Sequence, residues 1–171
     1  LTVYISTVGI ETDKFNDQIK KRISLINKKI DIDLKKIKLI LDPFELKIYA
    51  KTVGTTVYYS KIPLSLESIK TQLSISSLIK NKISSSNIEL TTKSILLNDF
   101  IKFIRITNNN PELFILEKIV KKGHVIIDLR LNIDENGKIK NDYEIEGLIK
   151  DASINFLNKA NFKNINFNFN F

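Results

Sequence analysis

Between His124 and Lys150 the sequence alternates, and the alternation dictates a sheet. Val125, Ile127, Leu129, Leu131 and Ile133 share one parity, with Asp128, Arg130, Asn132 and Asp134 between them. A period of two puts successive side chains on opposite faces of a strand, so one face is apolar and the other polar. Asn136-Gly137 supplies residues that tolerate the positive φ angles of a tight hairpin turn. Beyond it, Ile139, Tyr143, Ile145 and Ile149 again share a parity, against Lys140, Asp142, Glu144, Glu146 and Lys150. The stretch therefore predicts a long hairpin with one apolar side. What covers that side does not follow from the pattern.

The same switch between periods orders the rest of the chain. Phe15, Ile19, Ile23 and Ile26 recur at helical spacing behind Thr12 as cap, with Asp13 and Asp17 early and Lys20, Lys21 and Arg22 late, which suits the helix dipole. An N-terminal amphipathic helix is predicted over 12–26, packed on a sheet. From Lys29 the alternation resumes, slips by one at Lys35-Lys36, and continues through Ile37, Leu39 and Leu41, so a bulge or turn is expected there. Asp42-Pro43 breaks the run, Phe44, Leu46, Ile48 and Ala50 restore it, and Gly54 marks a further turn. Extended structure continues through Val57-Tyr58-Tyr59, Pro63, Leu64, Leu66, Leu73 and Ile75. A helical turn fits Ser76–Lys82, and Ile88, Leu90 and Ile95 mark the next strand. Asn98 caps a predicted helix over 98–106. Asn110-Pro111 opens another over 111–122, which Gly123 should end. A short strand is expected near Ser153–Phe156. In the tail, Ile165, Phe167, Phe169 and Phe171 alternate with asparagines. The expected class is mainly β with a few helices (α+β), its strands over 29–96 and 124–171 forming one long, bent antiparallel sheet.

Composition narrows the chemistry. The 43 % hydrophobic and 27 % charged content of these 171 residues is that of an ordinary folded domain. The net charge of +8 raises nucleic-acid binding, but the basic excess is evenly spread. Residues 1–50 hold 10 basic and 7 acidic side chains, residues 51–100 hold 6 and 3, and residues 101–171 hold 11 and 9. Phosphate-backbone binding calls for a patch or stripe, so no nucleic-acid partner is expected. The absence of cysteine removes disulfides and thiol catalysis. With no methionine and a tail still alternating at Phe171, the sequence is expected to be a piece of a longer chain whose sheet continues. No stretch reaches the roughly 20 apolar residues that span a bilayer. Leu1–Ile10 reads either as the last turns of a truncated membrane anchor or as a short first strand.

Catalytic and metal patterns are poor. His124 stands without further histidines or clustered carboxylates, so no metal site is expected. Asn132–Gly137 imitates the opening of a calcium loop, but Asn132 takes the first ligand position and Tyr143 the place of the bidentate glutamate. Ser84-Ser85-Ser86 lacks a nucleophile-elbow context, and five glycines form no phosphate loop. No enzyme, catalytic residue or cofactor is expected.

The order of parts carries a resemblance. A helix beginning Thr12-Asp13-Lys14-Phe15, strands around LKKIKLILDPFELKIYAK, and IPLSLESIKTQLSISSLIKNK followed by SNIELTTKSI resemble the N-terminal part of the AsmA/TamB/YhdP superfamily of bacterial envelope proteins. GKIKNDYEIEGLIKDASINF and the closing INFNFNF resemble its later strand repeats. The resemblance implies an anchor ending within 1–10 and a single taco-like β-groove region over 11–171, on the periplasmic side of the inner membrane. It also implies phospholipid or another acyl lipid moving along the groove toward an outer-membrane partner. The groove lining would be Ile127, Leu129, Leu131, Ile133, Tyr143, Ile145, Ile149, Ile165, Phe167 and Phe169. The competing reading is a structural or protein-interaction β-repeat module of the envelope that carries no lipid.

Overall fold

The structure is a computed structural model, and it describes residue 6 and residues 8–75, 87–107, 110–134, 140–156 and 160–171. Its elements are β1 (Ile10–Thr12), α1 (Asn16–Ile26), β2 (Ile30–Asp33), β3 (Ile37–Asp42), β4 (Lys47–Val53), β5 (Thr56–Tyr59) and β6 (Ile62–Ser74), followed by β7 (Asn87–Thr92), β8 (Ile95–Leu96), α2 (Leu97–Thr107), α3 (Pro111–Ile119), β9 (Val120–Asn132), β10 (Glu144–Phe156) and β11 (Ala160–Asn170). The strands form one open antiparallel sheet in the order β1-β3-β4-β6-β7-β9-β10-β11, with β2 and β5 beside the first half of β6 and β8 beside β9.

The long hairpin forms as its parity requires. Val125 pairs with Ile149, Ile127 with Gly147, and Leu129 with Ile145. The Asn136-Gly137 turn and Ile139 lie outside the described residues, as does the helical turn expected over Ser76–Lys82. A second tight hairpin joins β5 to β6 through Ser60 and Lys61, both at positive φ (47° and 72°). That is the backbone signature of a two-residue hairpin turn, reached without glycine or asparagine.

Bends give the sheet its form. β2 and β3 lie against β5 and β4 in one uninterrupted register, and β5 and β4 do the same against β6. The breaks fall side by side, at 34–36 and at Gly54-Thr55, next to a β6–β7 bulge between Leu66 and Ser68. Across them the inward parity changes on each strand: Ile32, Val57 and Leu64 face the same side as Ile37, Thr52 and Ile69. The phase slip expected at Lys35-Lys36 is thus one member of a bend shared by neighbouring strands. Asn16 ties α1 to it, its side-chain amide donating to the carbonyls of Leu34 (3.1 Å) and Lys35 (2.8 Å). A second bend crosses β9, β10 and β11, where register shifts flank Asp151 and both Asp151 and Asn164 have positive φ.

Three element boundaries depart from the sequence reading. The first helix starts at Asn16 rather than at Thr12, because Thr12 is taken into β1 and pairs with Ile37. The third helix stops at Ile119 and does not run to residue 122. Val120 already pairs with Ile154 and Lys122 with Ser153. Gly123 therefore sits inside a strand at φ +133°, where a Cβ would come 3.0 Å from the Cα of Ala152. The segment near Ser153–Phe156 is the far half of β10, continued past the bulge.

The main core lies beneath two helices. Leu97 and Ile101 of α2 and Ile119 of α3 close over Val120, Val125, Ile127, Ile149 and Ala152. Asn110 caps α3 by accepting from the Glu112 amide at 2.8 Å, with Pro111 next to it. α1 rests on β2 at the other side of the molecule, half-burying Ile19 and Ile23.

Candidate functional site: the two faces of the sheet

Cross-strand partners share a face, so the register converts separate alternations into continuous rows. One row runs Ile37, Thr52, Ile69, Leu90, Leu129, Ile145 across six strands. A second runs Leu39, Ala50, Thr71, Ile88, Leu131. Beside them Leu41, Ile48 and Leu73 form a third. The two helices α2 and α3 lie over the β8–β10 end of this face. Toward β3, β4, β6 and β7 most of these side chains are half-buried.

The residues expected to line a groove all lie on this parity, but they do not share one environment. Ile127 and Ile149 belong to the closed core, and Ile145, Ile165 and Phe169 pack against its border. Leu129, Leu131 and Ile133 are half-buried beyond the helices, while Tyr143 and Phe167 are about half exposed. Phe169 lies across Gly147, its ring occupying the space a Cβ would need. Phe167, Phe169 and Phe171 form a run of neighbouring rings, with centroids 6.3 and 5.8 Å apart. The sequence signal for Leu39, Ile69, Leu73, Ile88 and Leu90 as members of the same face was present as local alternation. Only the register joins them to Leu129 and Leu131.

The opposite face is charged. Lys38, Lys51, Lys70, Glu89, Arg130 and Glu144 follow one another across the strands. Lys70–Glu89 (3.7 Å) and Arg130–Glu144 (3.0 Å) are ion pairs about half exposed to water, where such pairs contribute little. The Glu144 hydrogen bond, then the nearby Glu146 charge, hold the Arg130 guanidinium above its usual pKa. Next to them Asp128 opposes Glu146, and the Thr91 hydroxyl donates to Asp128 at 2.6 Å. Two of the depressions formed by the described residues open on this side of the sheet. The larger, of about 460 Å³, is lined by Ile126, Asp128, Glu146, Leu148, Asn168 and Asn170 around Gly147 and Phe169. The smaller lies between Asn87, Glu89, Arg130, Asn132, Asp142 and Glu144.

No group of three or more His, Cys, Asp or Glu side chains is placed to hold a metal ion among the described residues. His124 is exposed, opposite Lys150 and Leu96. Asn132 donates to Asp142 (3.0 Å), which ties the two ends of the β9–β10 connection together. No described helix is long and apolar enough to cross a membrane. Within the stretch read as an anchor or a first strand, Ile10 opens β1, while residues 1–5 and 7 lie outside the described residues. Comparison of the chain with protein-family models, curated proteins and solved structures gives no match.

Proposed function

We propose that the apolar face of the sheet handles acyl lipid, in a protein of the bacterial envelope that passes phospholipid between membranes. The observation that carries the reading is the continuity of the rows from Ile37 to Ile145, half-buried over most of their length beyond the helices. Acyl chains need no acid, base or metal. They need apolar surface kept from water by something other than the protein's own core, with polar groups on the reverse side. The resemblance to AsmA/TamB/YhdP proteins points the same way, and so does the apolar parity of the ten proposed lining residues. In this reading the half-buried members Leu129, Leu131 and Ile133, with Leu90 and Ile88 beside them, contact lipid. Ile127 and Ile149 anchor the wall to the core. The periplasmic location, the inner-membrane anchor and an outer-membrane partner belong to the same proposal.

The second reading is a structural or interaction module without lipid. It is favoured by the way α2 and α3 seal Val125, Ile127 and Ile149.

Mass spectrometry of lipid carried by the purified protein separates the two. Phospholipid should accompany the wild type, be lost from Leu129→Asp, and be retained by Arg130→Asp on the opposite face. A wild type that carries no phospholipid when purified from membranes, and takes up none from vesicles, overturns the proposal.

A further inference from the structure

We infer that α3 is a docking element for an anionic lipid surface. The inference stands on residues outside the proposed lipid-handling face. Over Pro111–Ile119 the helix buries Ile119 and turns Leu113 and Glu117 partly away from water. At 100° per residue, Phe114, Ile115 and Lys118 then fall on one outward arc. Phe114 is 51 % exposed, Ile115 57 % and the neighbouring Leu116 39 %. A surface helix normally turns charge outward at such positions. Here the outward arc is apolar with a basic border.

Charge identifies the occupant. Lys118 Nζ lies 5.3 Å from the centre of the Phe114 ring and the Arg105 guanidinium 5.9 Å from it. Lys121 folds back to donate to the Lys118 carbonyl at 2.7 Å, which brings a second ammonium to the same helix end. Glu117 is matched by Arg105 at 2.9 Å, leaving Glu112 as the acidic counterweight to Lys118, Lys121 and Lys122 on this segment. Exposed phenylalanine and isoleucine bordered by lysines are what an interfacial helix presents to negatively charged headgroups. Size argues in the same direction. Nine residues make a helix roughly 13 Å long, and one arc of it falls well short of the about 800 Å² that each partner gives to a stable protein interface. A bilayer imposes no such minimum, since each side chain inserts on its own.

The test is flotation of the full chain with vesicles of phosphatidylcholine alone and of phosphatidylcholine with phosphatidylglycerol. Wild type should float with the anionic vesicles at low salt and be released at high salt. Ile115→Asp, at an exposed position that leaves the core intact, should weaken flotation at least about tenfold. Lys118→Gln and Lys121→Gln should each weaken it about fivefold. Lipid co-purifying with Ile115→Asp should match that of wild type, so failure here is distinguishable from failure of the lipid-handling reading. The inference is overturned if wild type ignores anionic vesicles, or if Ile115→Asp floats as well as wild type. It is equally overturned if light scattering finds a dimer that Ile115→Asp converts to monomer, which would make the arc a protein interface.

Discussion

A carboxylate placed at two positions of one parity on β9 measures where the apolar face is closed. Val125 has no exposed surface and is surrounded by the cluster that includes Leu97, Ile101, Ile127 and Ile149. Leu129, four residues on, is half-buried between Leu90 and Ile145. Val125→Asp leaves a buried charge without a partner, which costs about 3–5 kcal/mol or more. That is a large share of a total stability of roughly 5–15 kcal/mol. Leu129→Asp gives up about two-thirds or more of the roughly 1.5–3 kcal/mol that full burial of a leucine contributes, about 1–2.5 kcal/mol, while its carboxylate keeps contact with water. With a urea slope of about 2 kcal/mol/M, the Leu129 variant should lose about 0.5–1.3 M in midpoint. The Val125 variant should lose about 2 M or fail to fold. Urea unfolding followed by circular dichroism reads both. Equal losses for the two variants would mean that the face is a sealed core along its whole length, and the distinction drawn between its two ends would be wrong.

Two further outcomes test local features. Asn110→Ala removes the cap that accepts from the Glu112 amide and should cost about 1 kcal/mol, lowering Tm by about 2–4 °C; an unchanged Tm would mean that the cap contributes nothing. The Lys47 ammonium is held above its usual pKa by its hydrogen bond to Glu45, and the Tyr49 phenol by desolvation and then by Glu45. A raised folded-state pKa gives stability that is present below the unfolded value and lost as pH rises through the folded one, so both contributions fade only above about pH 10. Glu45→Gln should let both groups deprotonate at lower pH in an NMR titration; unmoved titrations would break the assignment.

Much of the sheet was legible because alternation is local. Each strand of the long hairpin shows its apolar parity within a few residues, and the slip at Lys35-Lys36 shows that the parity changes. Asn110-Pro111 marked the start of α3 because cap and proline act on the adjacent backbone alone. What sequence did not reveal depends on distant partners. Thr12 is a sound cap by composition, yet pairing with Ile37 claims it for a strand. Gly123 looks like a helix terminator, yet it is needed where β9 passes close to Ala152. The candidate face was only partly legible for the same reason. The parity of Leu129 and Ile145 is visible locally, whereas the joining of Leu129 to Leu90, Ile69 and Ile37 requires the register. The fate of Ile127 and Ile149 depends on where α2 and α3 come to rest.

The shared bends give this sheet something like a reading frame. Beyond Asp151, every side chain of β10 owes its face to one extra residue, and the register shifts on β9 and β11 are set to match. Were Asp151 to alternate like an ordinary strand residue, Ser153 and Asn155 would turn toward the core and Ala152 and Ile154 into water, although no residue had been changed. The bend at 34–36, Gly54-Thr55 and Leu66–Ser68 behaves in the same way. Length changes at these points alter a bend that neighbouring strands share, while a loop such as the one between β3 and β4 can gain or lose residues without touching either bend. In descendants of this chain, insertions and deletions should fall in such loops and be scarce along both bends, whatever the apolar face carries.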